Sequence, residues 1–234
     1  MKYFLVSSPR CGSHYCGEAI ALRTQVLALG ECLNSMYHDS VFTFENNQVQ
    51  VHWPELTQPN ARNKSTVEQI NKRLDNLLSA QNSWQGQAHL GHISCLGDKV
   101  IDKIVDNTHA ILLYRDSYVQ SIISWIIATE SNVWVPREKQ EYTPVYYNKE
   151  KHLPGIKQLI RDYDNLKKLA DTYKFSKVFR YEDFTGDHNI DFAEYKLANQ
   201  TETWNLPVKN TSDFNKLKLL KNLNELLTDI KSTI

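Results

Sequence analysis

The residues best suited to chemistry lie in Ser8-Pro9-Arg10-Cys11-Gly12-Ser13-His14, between an apolar run and a helical pattern. A guanidinium, a hydroxyl and an imidazole can all donate hydrogen bonds to the oxygens of a phosphate or sulfate. A helix start adds backbone amides and the positive end of its dipole, and Gly12 allows close approach of the backbone. The segment is therefore a candidate anion site, and an ordinary strand-to-helix turn with a surface arginine is the alternative.

A second arginine follows the most apolar run of the chain, residues 110–114, in the segment Arg115-Asp116-Ser117. Ser121 and Ser124 follow Ser117 at spacings of four and three, which places these hydroxyls on one face of a helix. An arginine and hydroxyls at a strand end predict a second anion site. Pairing of Arg115 with a neighbouring carboxylate is the alternative.

Apolar runs that predict strands alternate with helical patterns along the chain. Strands are predicted at 2–7, 41–44, 87–93, 110–114 and 177–181. Helices are predicted at about 19–29, 66–82, from Asp98, 118–127, from Pro154 as a first-turn proline to 173, and from Asp213 to 227. This alternation indicates an α/β three-layer sandwich with a central parallel sheet, whose ligands bind beyond the carboxyl ends of the strands.

Composition excludes several classes of function. With 27 Lys+Arg against 27 Asp+Glu among 234 residues, the chain has no net positive field to hold a nucleic acid. Its four cysteines form no C-x-x-C pair, which favours free thiols in a reducing compartment. No apolar run suits a signal peptide or a membrane span. We therefore expect a soluble cytoplasmic protein with neither a nucleic-acid nor a membrane partner.

Three segments, taken in order, resemble the sulfotransferases that use 3′-phosphoadenosine-5′-phosphosulfate (PAPS). Pro9-Arg10-Cys11-Gly12-Ser13 looks like the family's P-R-S-G-S/T motif after strand one. Arg115-Asp116-Ser117 looks like its R-D-P strand end, which a helical serine follows, and Tyr181-Glu182-Asp183-Phe184 looks like its Y-E-D-L segment. The resemblance implies a fold like that of P-loop nucleoside-triphosphate hydrolases. It also implies transfer of a sulfuryl group from PAPS to a hydroxyl by in-line displacement, which releases adenosine 3′,5′-bisphosphate (PAP).

The same resemblance implies which residues bind the nucleotide. The 5′-phosphosulfate would contact Arg10, Cys11, Gly12, Ser13 and His14, and the 3′-phosphate would contact Arg115 with Ser121 or Ser124. Tyr181 would line the nucleotide pocket, or would be a core tyrosine. The sequence departs from the family pattern at Cys11, His14 and Ser117, which stand where a serine, a hydroxyl residue and a proline are usual. The usual second-motif serine position, eight residues after the arginine, is Ile123.

Transfer to a hydroxyl needs a stabiliser of the leaving charge and a base for the acceptor's proton. Arg10 is the candidate stabiliser. Glu31, in Gly30-Glu31-Cys32-Leu33-Asn34, is similar to the catalytic glutamate of tyrosylprotein-type and many bacterial and viral members, and it is the favoured base. His89, similar to the histidine of the cytosolic members, is the other candidate, and either residue is alternatively structural. No metal-ligand spacing was identified and no metal is expected.

We therefore expect one domain over 1–234, with 34–64 and 132–153 as substrate-facing loops, acting on a small-molecule, carbohydrate or peptide hydroxyl. A kinase-like phosphotransferase is an alternative. However, the Walker pattern G-x-x-x-x-G-K-S/T is absent, because no lysine stands between Gly12 and Ser13 and the first glycine of the pattern is missing. A degenerate protein that binds a nucleotide or a partner without turnover is another alternative, because Cys11 and His14 are unusual in the loop.

Overall fold

The computed structural model describes residues 1–36, 41–51, 65–97, 99–115, 117–132, 143–181 and 219–233. Its strands in chain order are β1 Lys2–Ser7, β2 Leu27–Ala28, β3 Phe42–Glu45, β4 Gln48–Val51, β5 Trp84–His89, β6 His109–Tyr114 and β7 Lys177–Arg180. Its helices are α1 Ser13–Thr24, α2 Val67–Ser79, α3 Leu90–Ser94, α4 Val100–Asn107, α5 Tyr118–Ser131, α6 Lys149–Thr172 and α7 Leu223–Lys231.

Five of these strands form a parallel sheet in the order β2-β5-β1-β6-β7. The predicted α/β class with a central parallel sheet between helices is therefore confirmed. Along β1, Phe4 and Val6 pack into one buried cluster, whereas Tyr3 and Leu5 pack into another. This alternation follows from the two-residue period of a strand, and it shows that the sheet is covered on both faces.

Helices cover the two faces of the sheet, and a third cluster joins the C-terminal part. Helices α2 and α4 pack with Phe4 and Val6, and α1 packs with Tyr3 and Leu5. Apolar residues of α5, α6 and α7 form the third buried cluster. No helix within the described ranges is both long and apolar enough to cross a membrane.

The chain leaves β1 and β6 in opposite directions. After β1 it runs to β2 on one side of the sheet, and after β6 it runs to β7 on the other. Strands β1 and β6 are neighbours, and the point beyond their carboxyl ends where the chain diverges is where open α/β sheets bind ligands. The segments that begin at Ser8 and at Arg115 leave the sheet at this point.

Three sequence predictions were wrong in their boundaries. The helix predicted over 19–29 ends at Thr24, and Leu27–Ala28 pairs with β5 as a short strand. The strand predicted over 87–93 ends at His89, and Leu90–Ser94 is helical. Pro154 lies inside α6, whose cap is Asn148, because the Asn148 side chain accepts a hydrogen bond from the Lys151 amide and starts the helix earlier.

The two predicted loop insertions contain regular structure. In the first, the predicted strand near 41–44 is β3, which pairs antiparallel with β4 through Asn46 and Asn47 at φ 51° and 58°. Asparagine tolerates this left-handed conformation, which suits a tight hairpin turn. In the second, residues 149–153 belong to α6. Residues 37–40, 52–64 and 133–142, and the predicted helix start at Asp213, lie outside the described residues.

Candidate functional site

The turn after β1 has two residues in the left-handed region, Arg10 at φ 65° and Gly12 at φ 83°. Glycine adopts this conformation at no steric cost, whereas an L residue such as Arg10 is strained in it. Turns of this kind can direct successive backbone amides to one side and form a concavity that binds anions. Helix α1 begins at Ser13, directly after the turn, so the free amides of its N-terminus lie beside the turn.

Arg10 is held by two serines of α5, Ser121 and Ser124. Its Nε donates a hydrogen bond to Ser124 Oγ at 3.0 Å, and Ser121 Oγ donates to the Arg10 carbonyl at 3.3 Å. Ser121 is also 2.6 Å from the Tyr163 hydroxyl. The first and second sequence motifs therefore touch directly. The two candidate serines for the 3′-phosphate both contact Arg10 in this structure.

Glu31 reaches the same edge of the sheet because the chain after β2 continues beside β5. The Leu29 amide donates to the Gln85 carbonyl at 2.7 Å, and the Gln87 amide donates to the Gly30 carbonyl at 2.8 Å. Glu31 is only 8% exposed, so it is not an ordinary solvated residue after a helix. These backbone bonds place its carboxylate next to His89, the last residue of β5.

Three side chains surround the Glu31 carboxylate. His14 Nε2 is 3.1 Å and His89 Nε2 is 3.5 Å from Oε1, and Asn34 Nδ2 donates to Oε2 at 2.8 Å. Burial by itself raises the pKa of Glu31, but the contacts with His14, His89 and Asn34 outweigh it and hold that pKa well below its usual range. Glu31 is therefore a carboxylate at neutral pH.

His14 is oriented from its other nitrogen by Gln87 of β5. Gln87 Nε2 is 3.4 Å from His14 Nδ1, so an amide that donates there leaves the proton of a neutral His14 on Nε2, facing Glu31. Gln87 can reach this point because Gly17 of α1 has no side chain. A Cβ at this position would lie 2.4 Å from Gln87 Oε1 and would clash with it. A glycine in α1 thus allows the contact that orients His14.

His89 joins the turn after β1 to the Glu31 carboxylate. Its Nε2 is 3.3 Å from Ser13 Oγ as well as 3.5 Å from Glu31 Oε1. Burial lowers the pKa of His89 to about 4, against the opposing effect of Glu31, so the imidazole is neutral at pH 7. The His92 ring lies 5.2 Å from that of His89, and burial also lowers the pKa of His92.

Arg115 is buried behind Tyr181. It is 1% exposed, its Cζ lies 4.1 Å from the Tyr181 ring centroid, and it donates a hydrogen bond to Gln120 Oε1. The same ring is so close to the first motif that a Cβ on Gly12 would lie 2.7 Å from Tyr181 Cε2. Tyr181 therefore links the two motifs. A phosphate reaches the Arg115 guanidinium only when the groups that bury it move.

The Cys11 side chain does not face this cluster. Its thiol is buried in the core, where it donates to the Ser8 carbonyl at 2.9 Å. Burial raises the pKa of Cys11, so it stays a thiol at neutral pH. Any contact of this residue with an anion falls to its backbone amide. All four cysteines of the chain are free, as predicted.

The structure brings most of the predicted site residues into one region. Direct contacts connect Arg10 to Ser124 and Ser121, Ser13 to His89, His14 to Glu31, and Gly12 and Arg115 to Tyr181. Two residues that the sequence did not single out, Asn34 and Gln87, contact Glu31 and His14 respectively, and His92, which the sequence favours as a structural residue, lies beside Glu31 and His89. The spacing His89-x-x-His92 was the available signal for His92, since residues three apart on a helix share a face.

Neither a protein-family model nor a curated protein matches this chain. Its function is therefore inferred from the site itself.

Proposed function

We propose that this protein is a PAPS-dependent sulfotransferase that moves a sulfuryl group to a hydroxyl acceptor by in-line displacement, on a P-loop-like fold. One observation carries the proposal. The turn suited to an anion and both candidate bases touch one another, through Ser13 with His89 at 3.3 Å and His14 with Glu31 at 3.1 Å. The ordered resemblance of the three motifs to that family supports the same function.

Each part of the proposed site has a task in the transfer. Arg10, the backbone of the turn and the start of α1 stabilise the charge that builds on the leaving phosphate oxygen. Ser124 keeps the Arg10 guanidinium in place through its hydrogen bond to Nε. Because these donors are already held by the fold, they need little reorganisation during the reaction.

The acceptor hydroxyl loses a proton to Glu31 or His89. Glu31 is ionised and His89 is neutral at pH 7, so each can accept a proton, and they share one face of the cluster. Glu31 stays the favoured base, with His14 and Asn34 fixing its two oxygens. The acceptor's proton leaves on the base, the new S–O bond forms to the acceptor, and the S–O bond to the phosphate breaks to release PAP.

Binding and transfer are tested separately. Isothermal titration calorimetry compares PAP with ATP plus Mg²⁺; tight binding of PAP alone is expected, and binding of ATP·Mg²⁺ alone would favour the kinase-like alternative. Release of PAP from PAPS is then measured with phenols, sugars and tyrosine-containing peptides as acceptors. Binding of PAP with no release in any mixture would favour the degenerate alternative.

Variants assign the roles within the site. Arg10→Ala should weaken PAP binding, whereas Glu31→Gln should keep PAP binding and lower turnover by roughly 10²–10⁴-fold if Glu31 is the base. His89→Asn makes the same comparison for the histidine. His109→Ala is the matched control. His109 is exposed at the start of β6, at the amino ends of the strands and away from the proposed site at their carboxyl ends.

A further inference from the structure

The strongest additional feature is a set of nitrogen and oxygen ligands at the end of β5. Glu31, His89 and His92 each offer one ligand atom, and these atoms all lie within 4.8 Å of one another. Two imidazoles and a carboxylate, with a position left for water, are a ligand set that zinc enzymes use. We propose that Glu31, His89 and His92 form a three-ligand site for a divalent transition-metal ion such as Zn²⁺. The proposal does not rest on the sulfotransferase assignment, and because Glu31 and His89 are also the candidate bases, a metal ion bound here would prevent them from accepting the acceptor's proton.

The spacing of the ligand atoms fits a metal ion. Zinc binds imidazole nitrogen and carboxylate oxygen at about 2.0–2.2 Å, which separates two ligands of a tetrahedral site by about 3.3–3.6 Å. His89 Nε2 lies 3.5 Å from Glu31 Oε1, which is inside this interval. The His92 ligand atom lies within 4.8 Å of the other two, so a shift of about 1 Å would bring it to the same separation.

The fold holds the three ligands on firm supports. His89 is the last residue of β5 and the cap of α3, and His92 lies three residues later, within that helix. Glu31 is held beside them by the Leu29 and Gln87 backbone bonds that join its segment to β5. The ligands therefore come from neighbouring backbone segments, as a preformed metal site requires.

The surroundings favour the ligating form of each side chain. Asn34 donates to Glu31 Oε2, which directs Oε1 to the histidines and gives the carboxylate an outer-sphere partner. In addition, His92 Nδ1 is buried with no hydrogen-bond partner among the described residues. A metal ion bound to His92 would therefore hold a ring that lacks a hydrogen bond at Nδ1.

A soft or borderline metal suits this site better than Mg²⁺ does. Imidazole is a good ligand for Zn²⁺, Co²⁺, Ni²⁺ and Cu²⁺, whereas Mg²⁺ prefers six oxygen ligands and keeps its waters. Cys95 is exposed one turn away on the same short segment, and it is the main competing metal ligand that a test must exclude. The proposal therefore predicts that thiol chemistry contributes nothing to binding.

Titration with Zn²⁺ alone, on metal-free protein without nucleotide, tests the site. We expect one Zn²⁺ per chain, and His92→Ala should weaken its binding at least about tenfold, while Cys95→Ser and His109→Ala should change it less than about twofold. Unchanged binding in His92→Ala, or loss of binding in Cys95→Ser, would overturn the proposal. Because no nucleotide is present, the result stands apart from that of the PAP titration.

X-ray absorption of the zinc-loaded protein gives a readout that does not depend on how a variant folds. Two imidazoles are expected among the groups bound to zinc, with oxygen as the remaining ligands. Sulfur bound to the zinc, or fewer than two imidazoles, would contradict the assignment. Asn34→Ala adds a graded check, since loss of an outer-sphere partner typically lowers metal affinity by about 10–100-fold.

Discussion

Arg10 Nε donates a hydrogen bond to Ser124 Oγ across 3.0 Å, and this bond joins the turn after β1 to the helix after β6. The two segments are more than a hundred residues apart in the chain. They meet because β1 and β6 are neighbouring parallel strands whose carboxyl ends share one edge. The bond directs the Arg10 guanidinium, so it should control how well the turn binds an anion.

Replacement of Ser124 tests this control. Ser124→Ala removes the acceptor for Nε and should raise the dissociation constant for PAP by about 3–10-fold, since one hydrogen bond typically contributes about 1 kcal/mol. Calorimetric titration measures the change. Ser131→Ala is the matched control, because Ser131 donates a local hydrogen bond to the Ile127 carbonyl at the far end of α5. Equal PAP affinity in Ser124→Ala and the wild type would show that the contact does not position Arg10 for binding.

The elements with strong local signals could be predicted from the sequence. The apolar run of β6 and the capping-box pattern Ser65-x-x-Glu68 before α2 gave the right element types, although the cap is formed one residue later, by Thr66 and Gln69. Strand β2 could not be predicted, because its two residues extend only by pairing with β5. The end of β5 was also hidden, since Leu90 and Ile93 continue the apolar pattern into α3. Tertiary pairing decided these boundaries.

The individual site residues could be predicted, but their contacts could not. Arg10, Glu31 and His89 stand out by type and by motif, yet nothing in their spacing shows that Glu31 meets both His14 and His89. That meeting depends on the strand order, which places the chain after β2 beside β5. The burial of Arg115 behind Tyr181 likewise depends on packing.

The left-handed backbone of Arg10 should cost stability. The left-handed conformation at φ 65° costs an L residue about 1–2 kcal/mol of folding free energy, and it costs glycine none. Glycine instead lowers stability by roughly 0.5–1 kcal/mol, because it makes the unfolded chain more flexible. Arg10→Gly should therefore be up to about 1 kcal/mol more stable than Arg10→Ala in urea unfolding. Both variants should lose PAP affinity equally, because both lose the guanidinium. A more stable Arg10→Ala would contradict the strain.

Asp162, which lies outside the proposed site, should make the free energy of unfolding depend on pH. Burial raises the pKa of Asp162, although Gln158 Nε2 donates to its Oδ1 at 2.7 Å. A folded-state pKa above the unfolded value means that the folded state binds this proton more tightly. The folded state is therefore penalised as pH rises through both values, and the penalty persists at neutral pH.

Asp162→Asn removes that penalty and can still accept the Gln158 hydrogen bond. The variant should have a larger free energy of unfolding than the wild type at pH 7, and the gain should shrink as pH falls below the folded-state pKa. Urea unfolding at a series of pH values measures this. Asp164→Asn, exposed on the same helix, is the control. A gain that is the same at every pH would exclude the titration of Asp162 as its cause.

A side chain at Gly12 would meet both backbone strain and a steric clash, whereas one at Gly97 would meet backbone strain alone. Gly12→Ala is strained at φ 83° and also brings its Cβ to within 2.7 Å of Tyr181 Cε2, whereas Gly97→Ala is strained at φ 105° with no atom within 4 Å. Gly97→Ala should lose about 1–2 kcal/mol in urea unfolding, and Gly12→Ala should lose about 1–3 kcal/mol more through the clash.

The clash also predicts coupling between Gly12 and Tyr181. Tyr181→Leu removes the ring carbon that the new methyl group meets, so Gly12→Ala should cost less in the Tyr181→Leu background than in the wild type, by at least about 0.5 kcal/mol. The double-mutant cycle also cancels the loss of the Arg115–Tyr181 contact, which is common to the single and the double variant that carry Tyr181→Leu. Additive effects of the two substitutions would mean that the Tyr181 ring does not constrain the turn at Gly12. A coupled result would show that one aromatic ring connects the turn at Gly12 with the buried Arg115, so movement of that ring would act on both motifs together.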